Sequence, residues 1–481
     1  MGRKRTSACT SPVPRVIATW FLAGLLLVCG ASASALVVVV RDVALVDPEG
    51  IAPARATLVL RGGAITAIEP RDSAIEVNGA TVIDGRSLFA MPGLMDAHVH
   101  AHRDGREAWH YPLYLAHGVT RVRDAGTHLG SALAMRRPGG RDPSGPTVRW
   151  SSPPLDGTPP FLSFGMGVES PAAARELVRM AKREGFDFVK IYDRLSLETY
   201  SAILDEARQV GIAVEGHVPL ASTPIEAVEG GQRAIDHLTL VLESCIPGAL
   251  AWTHAQPDAD SMALLTDGRL AAALDRYDEV ACNALFKRFA TAGTWHIPTL
   301  VQMRGAFALH SPGVIDSPDI GLVPDAVRKE WAEYRAEAKP DELRAGMAVY
   351  ARMLRLVGDM HRAGVRLLAG SDASTEPYVV PGAALHEELA LFVEAGLTPL
   401  EALRTATTDA ARYAGDDPTR IGFRVGAPAD LVLLATDPRR DIRNTRAIAW
   451  VIQRGVAHDR ATLDAKLASA RGTPQGKKGK P

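Results

Sequence analysis

The sequence predicts an α/β protein: a TIM-like (β/α)8 barrel carrying a small β-sandwich built from both ends of the chain. Eight short apolar runs alternate with helix signals through the middle of the chain, the pattern of parallel strands joined by crossovers. The flanks on either side read as β throughout. His98, His100, Lys190, His217, His237 and Asp372 each fall at the carboxyl end of an apolar run, the rim where such a barrel gathers its functional groups.

In chain order, residues 1–35 read as a signal peptide. Arg3, Lys4, Arg5 and Arg15 precede the apolar run Val16 to Val28, and Ala31-Ser32-Ala33-Ser34-Ala35 offers cleavage after Ala33 or Ala35. This predicts export, to a periplasmic or extracellular site. An uncleaved anchor is the alternative, but the run is short for a span. A lipoprotein is disfavoured because Val28, not a small residue, precedes Cys29.

Residues 36–88 form the first part of the sandwich, where Ala56–Leu60 and Ala64–Ile68 flank Arg61-Gly62-Gly63 as a hairpin. Residues 89–425 form the barrel, with strands at Leu94–Val99, Val119–Arg123, Thr147–Ser151, Phe186–Ile191, Ile212–Glu215, Arg233–Ile235, Trp295–Val301 and Val365–Ala369. Helices start at Ser170-Pro171, Ser196 and Thr223-Pro224 and stop at Gly185, Gly211 and Gly230-Gly231. Glu243 to Thr294 is a long connection placed to cover part of the rim. Residues 426–470 return to β texture at Ala429–Leu434 and Ile448–Gln453, and 471–481 read as a disordered tail.

The whole chain of 481 residues is 47% hydrophobic with a net charge of −1, so nothing in it suggests a nucleic-acid partner. Loss of the leader removes Cys9 and Cys29 and leaves Cys245 and Cys282, which can form a disulfide or stay as buried thiols. A homo-oligomer is compatible with the sequence but not indicated by it.

Chemistry follows from position. His98 and His100 sit at i and i+2 on an ending strand and point to the same side, so both imidazoles can face one metal. His217 and His237 end adjacent strands and can hold a second metal beside it. Asp372 ends the last strand, which closes onto the first, and reads as a ligand and proton carrier; a helix N-cap is its alternative. Lys190 ends a buried strand, where desolvation lowers its pKa. A neutral amine there can take up carbon dioxide as a bridging carbamate, or Lys190 can pair with Asp187, Asp193 or Asp236. Tyr192, on the same face, can reach a substrate carbonyl or carboxylate, or can pack between strand and helix. Arg123, His102 and His128 lie in early loops and read as structural more than carboxylate-binding; Asp124 reads as a loop salt bridge.

The stretch Met91-Pro92-Gly93-Leu94-Met95-Asp96-Ala97-His98-Val99-His100 resembles the metal-dependent amidohydrolase superfamily. Gly118–Gly126, Val189-Lys190-Ile191-Tyr192 and Gly422–Gly455 resemble its imidazolonepropionase-related, prolidase-like branch, and the resemblance covers nearly all of the mature chain. It implies that His98, His100 and Asp372 bind the first metal, His217 and His237 the second, and carboxylated Lys190 bridges them. It also implies that residues of the seventh strand, Trp295-His296-Ile297-Pro298, line the substrate pocket. Lys190 argues against single-metal imidazolonepropionase activity and for two-metal members such as prolidase-like enzymes and ochratoxinase.

The function expected is therefore an exported binuclear metallohydrolase that cleaves a C–N amide bond in a dipeptide or N-acyl amino acid. Zinc is the favoured metal, with manganese or cobalt as substitutes, and Asp372 shuttles the proton. The alternatives are a cyclic amide hydrolase, deaminase or lactonase on the same scaffold, or a metal-binding protein without catalysis. A guanidinium near the metals would favour a linear carboxylate substrate.

Overall fold

The computed structural model describes residues 37–76, 78–137, 142–373 and 376–472. The expected signal peptide, 1–35, and residues 473–481 of the expected tail lie outside the described residues. Arg471, which the sequence assigns to that tail, is helical. A helix runs Arg460–Arg471, capped by Asp459 through the Thr462 amide at 2.8 Å, because Ala470 is buried in the cluster around Trp109 and Trp331.

Eight parallel strands make the barrel: Leu94–Val99, Val119–Asp124, Thr147–Trp150, Phe188–Ile191, Ala213–Gly216, Ala234–Asp236, Trp295–Ile297 and Arg366–Leu367. The first three form one ladder and the other five another. Backbone bonds join the two ladders at both seams. Between the third and fourth strands, Ser152 N donates to Phe188 O and Asp187 N to Trp150 O, each at 2.9 Å. Between the eighth and first, Ala97 N bonds Ala369 O at 3.0 Å, Asp372 N bonds His98 O at 2.8 Å and His100 N bonds Ala373 O at 3.0 Å. The ring of strands is thus complete, and Asp372 is held beside the first strand's histidines by the closure itself.

Helix ends sit where the sequence placed them. Ser170 and Ser196 cap Pro171–Arg183 and Leu197–Val210, and Thr223 with Glu226 forms a reciprocal capping box on Pro224–Glu229. The seventh run departs from expectation: the strand ends at Ile297, and Leu300–Phe307 is a helix. Pro298 cannot donate to the ladder and Thr299 is left-handed at φ 50°, so the chain turns there. The new helix's first amides, Leu300 N and Val301 N, donate to the buried carboxylate of Glu388 at 3.1 and 2.8 Å. A second long excursion, carrying helices Asp325–Glu337 and Pro340–Arg362, separates the seventh and eighth strands.

Both ends of the described chain meet in one eight-stranded sheet. Val37–Leu45 pairs with Arg55–Arg61, Thr81–Asp84 and Phe89–Pro92, and Phe89–Pro92 pairs in turn with Leu431–Leu434. Across the sheet, the hairpin tip at Gly63–Ile65 bonds to Gly426–Ala429, which curls the sheet around its own apolar cluster of Val38, Leu58, Ile83, Leu431 and Ile452. Cys245 and Cys282 form a disulfide with Cα atoms 4.8 Å apart, tying together two parts of the connection after the sixth strand. No helix among the described residues is long and apolar enough to cross a membrane.

Candidate metal centre

The six side chains singled out above gather at one cavity of about 560 Å³: His98, His100, Lys190, His217, His237 and Asp372 all line it, as does Tyr192. Backbone chemistry puts them there. Gly216, at φ 134°, lets the fifth strand turn so that His217 enters the cavity; a Cβ would lie 2.3 Å from the Ile191 carbonyl oxygen. Gly370 lets the eighth strand pass the first, since a Cβ there would meet His98 Cβ at 2.9 Å. His237 and Asp372 themselves adopt left-handed φ of 57° and 56°, a strained conformation that concentrates at functional sites.

The ring nitrogens facing away from the cavity are fixed by neighbours. His100 Nδ1 bonds Gly126 O at 2.8 Å, His217 Nδ1 bonds Asp193 Oδ1 at 2.7 Å and His237 Nδ1 bonds Thr299 Oγ1 at 2.7 Å. Each bond leaves Nε2 as the group for a ligand. Asp96 performs a similar office for backbone: it accepts from Ser371 Oγ at 2.5 Å, Ser371 N at 2.9 Å and His98 N at 3.2 Å. Burial pushes its carboxyl up to about 7. Burial also lowers all four imidazoles, His100 to about 4 and His217 to about 3, so they are neutral at neutral pH, the form that binds metal.

Donor spacing fits a cation. Asp372 Oδ1 lies 3.4 Å from His100 Nε2 and 3.7 Å from His98 Nε2, and Asp372 Oδ2 lies 3.9 Å from His237 Nε2. Two ligands about 2.1 Å from a tetrahedral ion stand roughly 3.4 Å apart. His98 is fully buried, with Nδ1 3.4 Å from Asp236 Oδ2 and no hydrogen-bond partner on Nε2, a costly state that a ligated ion relieves. The donor atoms of His98, His237 and Asp372 lie within 4.8 Å of one another, a group that takes one histidine from each expected pair.

Lys190 is buried and pairs with Asp236 Oδ2 at 2.5 Å, the third of its three sequence alternatives. Asp187 instead accepts from Trp150 N, and Asp193 holds His217. Burial moves the Lys190 ammonium below its usual value against the pull of Asp236. Burial would raise Asp236, but the charges of Arg123 and Lys190 outweigh it and hold that carboxyl well below the usual range. Arg123 lies beneath the site, fully buried between Glu215 at 2.9 Å and Asp236 at 3.3 Å. His102 bonds Asp124 at 2.5 Å and the Tyr111 hydroxyl, and His128 is exposed with its ring 5.8 Å from that of Phe164. The Tyr192 ring lies 4.1 Å from that of His217 and stacks on Phe161, and burial keeps its hydroxyl protonated far above its usual range.

Two features depart from the sequence reading. Trp295 and His296 of the seventh strand do not line the cavity; they pack against Tyr413 and Phe289, and Gln302 of the following helix lines it instead. Arg103, one turn past His100, also lines the cavity and had drawn no notice. A basic residue three positions beyond a candidate ligand, His100, is the available signal. Asp193 and Asp236 are marked by the sequence only as partners for Lys190, and Asp96 and Thr299 carry no pattern that marks them before the fold is known.

A model of the amidohydrolase family matches residues 89–457. The chain belongs to the amidohydrolase family. This amidohydrolase is a metal-dependent hydrolase acting on carbon–nitrogen bonds. Among solved structures it is similar to a bottromycin amidohydrolase, at 23% identity and TM-score 0.68 over 91% of this chain and 90% of that one. It is also similar to a prolidase complexed with N-methylphosphonate-L-proline, at 22% identity and TM-score 0.60 over 88% of this chain and 100% of that one. Ochratoxinase of A. niger aligns at 19% identity and TM-score 0.60, over 89% of this chain and 96% of that one. At these identities the solved structures establish the amidohydrolase's fold. No curated protein matches its sequence significantly.

Proposed function

We propose that this amidohydrolase is an exported, binuclear enzyme that hydrolyses the amide bond of a dipeptide or N-acyl amino acid. The observation that carries the reading is the convergence of four neutral imidazoles, Asp372 and Lys190 on one cavity. His98, His100 and Asp372 would hold one divalent cation and His217 and His237 a second, with carboxylated Lys190 between them; zinc suits the donor set. When bound, such a pair supplies Lewis acidity toward a water and the scissile carbonyl.

The chain's own groups do the rest. Asp372 takes the proton from the attacking water as oxygen bonds to the carbonyl carbon. It then gives that proton to the amide nitrogen as the C–N bond breaks, because an amine leaves far more readily than its anion. The protonated hydroxyl of Tyr192 donates to the substrate carbonyl or carboxylate. Arg103 supplies the guanidinium that a linear substrate's free carboxylate requires, which favours this reading over a cyclic amide, deaminase or lactonase substrate. The solved prolidase's phosphonate–proline complex is in keeping with it.

Metal analysis of purified protein, with turnover of dipeptide and N-acyl amino acid panels, tests the proposal. Wild type should carry about two metal ions per chain and Lys190→Ala fewer, while Asp372→Asn should keep part of its metal and lose nearly all turnover. A metal-replete wild type inactive on every linear amide would overturn it.

A further inference from the structure

Besides the histidines, four separate segments bring hydrogen-bond acceptors to the same cavity. Asp260 and Met262 come from the connection after the sixth strand, Gln302 from the helix Leu300–Phe307, Tyr334 from Asp325–Glu337, and Glu376 from beyond the eighth strand. They are neighbours: the Gln302 amide favours the charged form of Glu376 and lies with its nitrogen 3.9 Å from Met262 Sδ, and the charge of Asp260 raises Glu376. Gln302 is 3% exposed, and its Oε1 has no hydrogen-bond partner. Two acidic side chains beside an unsatisfied carbonyl oxygen make a site rich in acceptors.

The cavity's own cations leave these acceptors unbalanced. Lys339 is held by Glu342 at 2.7 Å, and Arg103 lies over the Phe164 ring at 5.2 Å, beside the metal side of the cavity. Among the described residues no basic side chain stands out in the field at Glu376, and Arg194 acts on Asp260. Burial pushes Glu376 up to about 7, and burial with the neighbouring charge of Asp193 pushes Asp260 up to about 6 against the pull of Arg194. Asp260 has a structural duty as well, capping Ser261–Thr266 through the Ala263 amide at 3.1 Å. Glu376 has no such duty. The aromatic walls, Tyr334 and Phe307, complete the surroundings that a cation with an aliphatic stem prefers.

We propose that Asp260, Gln302 and Glu376 bind a cationic group of the substrate, an ammonium or guanidinium, so that the enzyme selects amides containing a basic amino acid. This rests on the amide-hydrolase reading above and names its substrate class. Glu376 is the specificity-determining carboxylate, with Asp260 supporting it and Gln302 accepting one of the cation's hydrogens.

The test compares lysine with norleucine, which differ only by the charged nitrogen, in four dipeptides: Gly-Lys, Gly-norleucine, Lys-Gly and norleucyl-Gly. Wild type should favour lysine at least tenfold in kcat/KM in one of the two orientations, with the difference in KM. Glu376→Gln should reduce that ratio about tenfold and Asp260→Asn should reduce it less. A ratio of two substrates measured on one preparation does not depend on how much of a variant is folded. Calorimetric binding of free lysine and norleucine gives a readout without turnover. Tighter lysine binding that weakens in Glu376→Gln supports the inference even if no amide is cleaved, in which case only the hydrolase reading falls. Equal treatment of lysine and norleucine by wild type, or a preference unchanged in both variants, overturns it.

Discussion

Asp236→Asn in metal-free protein is the most direct probe of how this site is built. Asp236 is fully buried and meets three positive or potentially positive groups: Lys190 at 2.5 Å, Arg123 at 3.3 Å and His98 at 3.4 Å. Arg123 keeps Glu215 as a second partner, but among the described residues Lys190 has no other carboxylate within ion-pair distance. Removing one member of a buried pair costs about 3–5 kcal/mol, and asparagine retains an acceptor oxygen, so the low end, about 3 kcal/mol, is expected. With an unfolding entropy near 2.1 cal/mol/K per residue over roughly 430 residues, that loss is about 3 °C in Tm. Thermal and urea unfolding of the apoprotein at pH 7, wild type against variant, measures it. A drop below about 1 kcal/mol would refute the argument that Asp236 neutralises the floor of the cavity.

Other consequences are smaller in scope. Gly216→Ala should cost about 3 kcal/mol or more and reduce metal content, because the added Cβ meets Ile191 backbone and the Lys190 side chain at a φ that disfavours it; metal analysis with denaturation curves reads both. Replacing Cys245 and Cys282 by serine should lower stability by about 3–4 kcal/mol from the 37-residue loop they close, as seen in urea midpoints with and without reductant. Glu388 has its folded carboxyl raised to about 8 by burial, above the ordinary 4.5. Its stabilising share is therefore complete below pH 4.5 and lost as pH rises through 8, so wild type should lose stability relative to Glu388→Gln between pH 5 and pH 9.

The barrel was legible because each strand is a short apolar run with a punctuated helix behind it, as in Phe188–Ile191 followed by Ser196 and Gly211. The candidate ligands were legible for the same reason: a strand's end is a place, and six ligand-type residues shared it. What the sequence could not carry was non-local. Nothing local tells that Asp236 rather than Asp187 meets Lys190, or that Thr299 orients His237, since both depend on which strands become neighbours. The seventh strand was overdrawn because Leu300-Val301 looks as apolar in a buried helix as in a strand. Gln302 and Glu376 went unnoticed because they sit in connections whose path over the rim is set by tertiary packing.

The sheet shared by both ends sets a timetable for biogenesis. Phe89–Pro92 waits for Leu431–Leu434, more than three hundred residues later, before its second edge is covered. Until the ribosome has delivered that late partner, a nascent chain displays an unsatisfied apolar ribbon that invites mispairing. Truncations before Leu431 should accordingly aggregate even though every barrel strand is present, and a chain that crosses a membrane during synthesis would benefit from being kept unfolded until its last strands arrive.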